Sequence, residues 1–237
     1  MTYIVRSAVP PEPLMNIQNY YVEIDEFLSD SGGSLNWTAV VSGTGAAITN
    51  DNTLVNSTDQ AIGVYLFSTG TTSTGRAALV KNTACKLFGY ATFTYKTRLK
   101  LTTLSSATQR YTAYFGFIDN SGAGDMTDGV YFRYIDNVNS GNWQLVARSN
   151  TTESVTNSSI AADTSLHDFR IEVNADGTSV QGFIDDVSVG AAITTNIPTG
   201  AGRWFGSGYK IQKSVGSTAR TLSVDYFFVL IQWSVTR

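Results

Sequence analysis

One cysteine and one histidine stand in this sequence, and their scarcity closes off several kinds of chemistry. Cys85 cannot form an internal disulfide, so the fold does not depend on an oxidising compartment, and the residue reads as a small, half-buried thiol. His167 alone cannot build a His-based metal cage and gives a Ser-His-Asp triad no second candidate. Charge is sparse as well. Charged residues make up 15% of the chain, and 16 basic against 19 acidic residues give a net charge of −3. No basic block is present to displace counterions from a phosphate backbone, so nucleic acid is not expected as a partner. No segment reaches the ~20 apolar residues of a membrane helix. The opening MTYIVRSAVPPEPLMNIQNYY lacks the charged-then-apolar layout of a signal peptide, which points to synthesis in a cytoplasm. Four Asn-x-Ser/Thr sequons, starting at Asn36, Asn56, Asn150 and Asn157, then read as turn-like local composition.

What is abundant is apolar residues, at 42% with 12% aromatics, separated by Ser, Thr, Asn and Gly. That mixture favours tight turns over helix. Strand patterns run from Tyr20 to Phe27, Ile62 to Phe67, Arg76 to Val80, Tyr90 to Leu101, Arg110 to Ile118, Gly129 to Asp136, Trp143 to Arg148, Leu166 to Asn174, Ser179 to Ile184 and Leu222 to Trp233. No helical pattern alternates with them, so the pairing is expected to be antiparallel in one all-β domain. Period-2 alternation places Phe169, Ile171 and Val173 on one face, with Arg170 and Glu172 on the other. Likewise Phe93, Tyr95, Thr97, Leu99 and Leu101 oppose Thr92, Thr94, Lys96, Arg98 and Lys100. In the last strand Leu222, Val224 and Tyr226 alternate with Ser223 and Asp225, after which Phe227 to Ile231 is apolar on both faces. Such a run must be central or lie in a subunit interface.

Residues 1–19 stand apart. Pro10, Pro11 and Pro13 are three of the four prolines, and they fall in a stretch without periodicity, which reads as an extended N-terminal arm ahead of a domain at 20–237.

The stretch HDFRIEVNADGTSVQGFIDDVSVG (167–190) resembles a paired-strand signature of concanavalin A-like lectin and glucanase domains, with turns at Ala175-Asp176-Gly177 and Asp185-Asp186. The family often has glycine after the second Asp, where this sequence has Asp186. TAYFGFIDNSGAGDMTDGVYFRYID (112–136), NWQLVARSN (142–150) and SVDYFFVLI (223–231) resemble the family's central pair, its following strand and its closing strand. The resemblance implies a two-sheet antiparallel jelly-roll β-sandwich. YVEIDEFLSDSGGSLNWTAV (21–40) resembles stretches of bacteriophage structural proteins that carry such a domain on the virion.

Laminarinase-like hydrolases of this fold carry Glu-x-Asp-x-x-Glu on one strand, so that two carboxylates flank the glycosidic bond. Glu23-Ile24-Asp25 starts such a motif, but Leu28 takes the third position and Glu26 falls on the opposite face. The His, Gln, Arg and Tyr set of alginate-lyase relatives does not assemble either. No catalytic residue and no enzyme activity are expected.

Two kinds of binding remain. Asp119, Asn120, Asp125 and Asp128 offer oxygen ligands of the kind calcium takes, although their spacing is no EF-hand loop, and no other cofactor is implied. Trp143, Trp204, Tyr209 and Tyr134 are the aromatic candidates for stacking on the sugar rings of a surface glycan. For assembly, the arm with Pro10, Pro11 and Pro13 and the last strand with Phe227, Phe228, Ile231 and Trp233 offer contact surface. The expected role is a non-enzymatic virion protein, a capsid decoration or cement module made in the host cytoplasm. Its expected partners are the major capsid protein or tail proteins and further copies of itself, with a trimer favoured. A receptor- or glycan-binding tail fibre or spike module is the alternative, and a glycan-active hydrolase or lyase the distant one.

Overall fold

The computed structural model describes residues 19–27, 37–50, 61, 63–135 and 139–233. Pro10, Pro11 and Pro13, with nearly all of the expected arm, lie outside them, as does Ile62. Fifteen strands follow in order: β1 (Tyr20–Asp25), β2 (Trp37–Ser42), β3 (Ala46–Asn50), β4 (Tyr65–Thr69), β5 (Arg76–Lys86), β6 (Ala91–Leu101), β7 (Arg110–Ile118), β8 (Gly129–Ile135), β9 (Asn142–Ser149), β10 (Thr152–Ala161), β11 (His167–Val173), β12 (Val180–Ile184), β13 (Val187–Ser188), β14 (Phe205–Val215) and β15 (Thr221–Trp233). Among the described residues there is no α-helix, and a 3-10 turn spans Asn139–Gly141.

The strands form two antiparallel sheets. One runs β13-β12-β11-β6-β15-β4-β3, and β1 is its eighth strand, paired to the second half of β15. The other runs β10-β9-β8-β7-β14-β5-β2. Their inner faces meet in one aromatic-rich core. Phe169 of β11 is packed from across the sandwich by Phe115, Trp143 and Phe132, at ring-centroid distances of 4.7, 4.9 and 5.2 Å, all edge-to-face. Each such contact adds about 0.5–1.5 kcal/mol beyond the area it buries.

Parity places the β6 and β11 side chains as expected, with Phe93, Tyr95, Leu99, Phe169, Ile171 and Val173 inward. β15 differs. A bulge at Asp225 shifts its register against β6 between Val224 and Tyr226. One extra residue exchanges the two faces of everything after it. Tyr226 is therefore outward and Phe227 inward, with Val229 and Ile231 following Phe227 into the core. This corrects the assembly set, because Phe227 and Ile231 are core residues and Trp233 packs partly against the same core, leaving only Phe228 outward.

The two turns around β12 form as the sequence suggests. Gly177 adopts φ +65, and the Asn174 side-chain oxygen accepts the amides of Thr178 and Ser179. Asp185 and Asp186 both take positive φ, 50 and 62, the geometry of a tight hairpin turn in which a short polar side chain replaces glycine. Cys85, expected to be half-buried, is exposed on β5.

Candidate functional site

The outer face of the seven-stranded sheet carries Tyr114, Tyr131, Arg133, Gln144, Arg148 and Lys210, which alternate with the core residues of β7, β8, β9 and β14. Residues 119–128, which join β7 to β8, fold back over it. Met126 packs with Tyr114, Tyr131 and Val146, and the Tyr114 hydroxyl donates to Asp125 at 2.6 Å. Arg133 grips Glu153 with two guanidinium nitrogens, at 3.1 and 3.2 Å. A single Arg148 nitrogen lies 3.0 Å from Glu153 and 3.6 Å from Asp125. The carboxylates on this face are thus neutralised by cations of the same chain.

The proposed calcium set does not converge. Asp119 accepts the amides of Thr127 and Asp128, both at 3.0 Å. The Asn120 side-chain oxygen accepts the Gly122 amide, and its nitrogen donates to the Ala123 and Asp125 carbonyls. Asp125 turns to Tyr114 and Arg148, and Asp128 to the Asn150 amide and Arg203. Among the described residues no three acidic, His or Cys side chains gather in a way that could hold a metal ion. The cation that the loop does hold is Lys210. Its ammonium lies 2.7 Å from the Gly124 carbonyl and 3.3 Å from that of Gly122, and 4.8 Å from the centre of the Tyr114 ring. Burial pulls the Lys210 pKa down to about 8, against the opposing attraction of Asp125 and Asp119.

Three of the four aromatic glycan candidates are equally committed. Trp143, Tyr134 and Tyr209 are buried in the core, so none can stack on a ligand, which corrects that expectation. Only Trp204 is exposed. Alternation alone cannot separate an aromatic residue of an inner face from one of an outer face when the strand itself, here β14, is hidden by glycines and lysines.

The eight-stranded sheet presents the open face. A depression of about 360 Å3 lies over β6, β11 and β15, lined by Lys96, Asp168, Arg170, Asp185, Asp186 and Tyr226. Its groups hold one another in place. Tyr226 donates to Asp168 at 3.3 Å, and the Asp168 amide donates to Asp185 at 2.9 Å. Arg170 stacks 4.0 Å above the Phe183 ring and bridges Glu172 and Asp186. Lys96 lies 5.9 Å from the Phe228 ring centre. Burial, with Asp168 beside it, pushes the Tyr226 hydroxyl above its ordinary pKa, so it stays a donor. A second depression of about 320 Å3 follows along the same strands, over Thr92, Thr94, Glu172, Asn174, Ser179 and Gln181. Lys96 and Arg170 were legible as outward residues from period-2 alternation. Tyr226 was not, because the bulge reverses its side.

Beside this lies an apolar stripe in which Val22 and Ile24 of β1 pair directly with Leu230 and Phe228 of β15. Val22 and Ile24 are 46% and 51% exposed, large values for a paired strand. Glu23, between them, points inward to Lys86 at 3.2 Å and accepts the Tyr21 hydroxyl at 2.6 Å. Asp25 accepts the Trp37 indole at 2.7 Å and the Phe27 amide at 2.9 Å.

Residues 60–225 match the sequence model of a family described as SO2946-like, C-terminal domain. The chain belongs to that family. Its fold is the concanavalin A-like lectin and glucanase jelly roll, as solved structures of low sequence identity show. Peanut lectin superposes with a TM-score of 0.62 at 9% identity, over 92% of this chain and 100% of the lectin. An endo-1,3-beta-glucanase from Streptomyces sioyaensis gives 0.58 at 15% identity, over 96% and 100%. The Emp47p carbohydrate recognition domain gives 0.57 at 10% identity, over 92% and 96%. No curated protein matches the chain.

Proposed function

We propose that this chain is a non-catalytic carbohydrate-recognition module of a bacteriophage virion, binding through the open outer face of its eight-stranded sheet. The observation that carries the reading is the depression around Tyr226. It joins a half-buried aromatic ring to fixed carboxylate and cationic groups, the combination by which proteins hold a polyhydroxylated ring. Glu23, which begins the glucanase-like pattern, is engaged with Lys86 and Tyr21, and Asp125 and Glu153 share one Arg148 nitrogen. In the depression itself Asp168 accepts the Tyr226 hydroxyl, while Asp185 and Asp186 pair with His167 and Arg170. General acid–base work on a glycosidic bond needs two carboxyl groups facing a substrate across open space. The virion setting rests on the resemblance of residues 21–40, the proline-bearing residues 1–19 and the low charge. The test is to measure binding of the purified chain to host cells and to lipopolysaccharide, its competition with infection, and release of reducing ends from β-glucans. Binding with competition and no reducing ends is expected. Hydrolysis, or failure to bind either surface, overturns the reading.

A decoration or cement role is the second reading, and β1 favours it. Among the described strands β1 pairs with β15 alone, and the stripe of Val22, Ile24, Phe228 and Leu230 runs along that pair. Antiparallel pairing of β1 with β1 of a second copy satisfies a two-fold axis by itself. Light scattering of the purified chain decides this, since a monomer at micromolar concentration rules out that contact.

A further inference from the structure

The two depressions on the eight-stranded sheet are successive steps of one track. Arg170 pairs with Lys96, and Glu172, the next outward residue of β11, pairs with Thr94. The first pair lines the depression at Tyr226 and the second lines its neighbour. From Asp168 to Asn174 the track is about 20 Å long, at roughly 3.3 Å per residue. Its chemistry changes along its length. The end at Tyr226 has an aromatic ring among charged groups, whereas the other end has mainly hydroxyl and amide groups, from Thr92, Thr94, Asn174, Ser179 and Gln181. Several charges at the Tyr226 end are already matched within the protein, Arg170 with Asp186 and Glu172 and His167 with Asp185, while Lys96 faces the Phe228 ring and Asp168 accepts the Tyr226 hydroxyl. A ligand with its own charge would disturb those pairs, while sugar hydroxyls can accept from Lys96 and donate to the Tyr226 oxygen and to Asp168 without removing any partner.

We infer that the strand pair β6–β11 holds a linear, uncharged oligosaccharide lengthwise, with one sugar position over Tyr226 and the next over Glu172. The inference rests on the carbohydrate-recognition reading and specifies its ligand. In this arrangement the Tyr226 ring supplies stacking area at the first position, and Glu172 and Gln181 supply hydrogen bonds at the second.

The experiment is binding of the full chain to an immobilised array of neutral and acidic linear glycans, from disaccharide to octasaccharide, with Tyr226→Ala, Tyr226→Phe and Glu172→Ala tested beside the parent. Neutral chains should bind, with a signal that rises from disaccharide to tetrasaccharide. Tyr226→Ala and Glu172→Ala should each weaken it by about tenfold, and Tyr226→Phe, which keeps the ring, by less. Thermal melting of each variant shows whether it is folded, and Tyr226→Phe carries the test of the first position if the alanine variant is not. Binding untouched by every variant overturns this site but leaves carbohydrate recognition standing. So does binding without dependence on chain length, which overturns the lengthwise track, and a preference for acidic glycans overturns the neutral class. No binding to any glycan on the array overturns this inference and the carbohydrate-recognition reading together.

Discussion

His167 Nδ1 lies 2.6 Å from the Asp185 carboxylate, joining the first residue of β11 to the turn that follows β12. Its other ring nitrogen lies 3.0 Å from Asp163, so the imidazole is clamped between two acids. Burial alone would lower the His167 pKa, but the hydrogen bonds to Asp185 and Asp163 outweigh it and raise the pKa above the ordinary 6.5. A raised histidine pKa means that the folded state holds the proton more tightly than the unfolded chain. The stabilisation is therefore complete below pH 6.5 and is lost as pH rises through the folded value. His167→Gln should cost about 1 kcal/mol at pH 6 and less at pH 8. Melting curves of both proteins across that range check this, and a constant difference contradicts the clamp.

Lys210 should respond to pH in the opposite direction. With its pKa lowered to about 8 from 10.5, the unfolded chain binds the extra proton between those values, so stability gains from rising pH there. The parent should become more stable relative to Lys210→Met as pH goes from 8 to 10. Denaturant titrations at the two pH values measure that difference, and no change between them would refute the assignment.

Calcium should not stabilise the fold. The carbonyls of Gly122 and Gly124 already receive an ammonium, and the side chains of Asp119, Asn120, Asp125 and Asp128 face other partners. Melting temperatures with millimolar calcium and with chelator should coincide, and a clear rise with calcium would show a site elsewhere.

Removing the ring at the centre of the core should be severe. Phe169→Ala leaves a cavity among Phe115, Phe132 and Trp143 and should cost about 3–5 kcal/mol. Urea unfolding reports it, and a loss under 1 kcal/mol would mean that the core collapses around the gap.

The sandwich was legible because β6, β7, β8, β11 and β12 alternate strongly or run apolar between turn residues. Strands β2, β3, β10, β13 and β14 were not. β10 is an edge strand of Thr, Ser and Asn with little apolar signal, and β14 mixes Gly206, Gly208, Lys210 and Lys213 with its core residues. Lys210 is buried on the outer side of a sheet covered by the chain itself, and Lys213, on the opposite parity, is buried with its ammonium on the Gly70 and Thr218 carbonyls, so their charge misled any reading by polarity. The open site suffered a different loss. Lys96, Asp168 and Arg170 could be placed on one outward face, but Tyr226 reached that face only through the bulge at Asp225, which no alternation announces.

The ammonium in the carbonyl cradle gives the 119–128 loop a property that a bound ion would not. A loop closed by a dissolved metal is only as firm as the supply of that metal, and it slackens on dilution or in the presence of competing chelators. Lys210 travels with the polypeptide at a fixed ratio of one per loop, so the covering of the seven-stranded sheet is closed by a group that neither dilution nor a chelator removes.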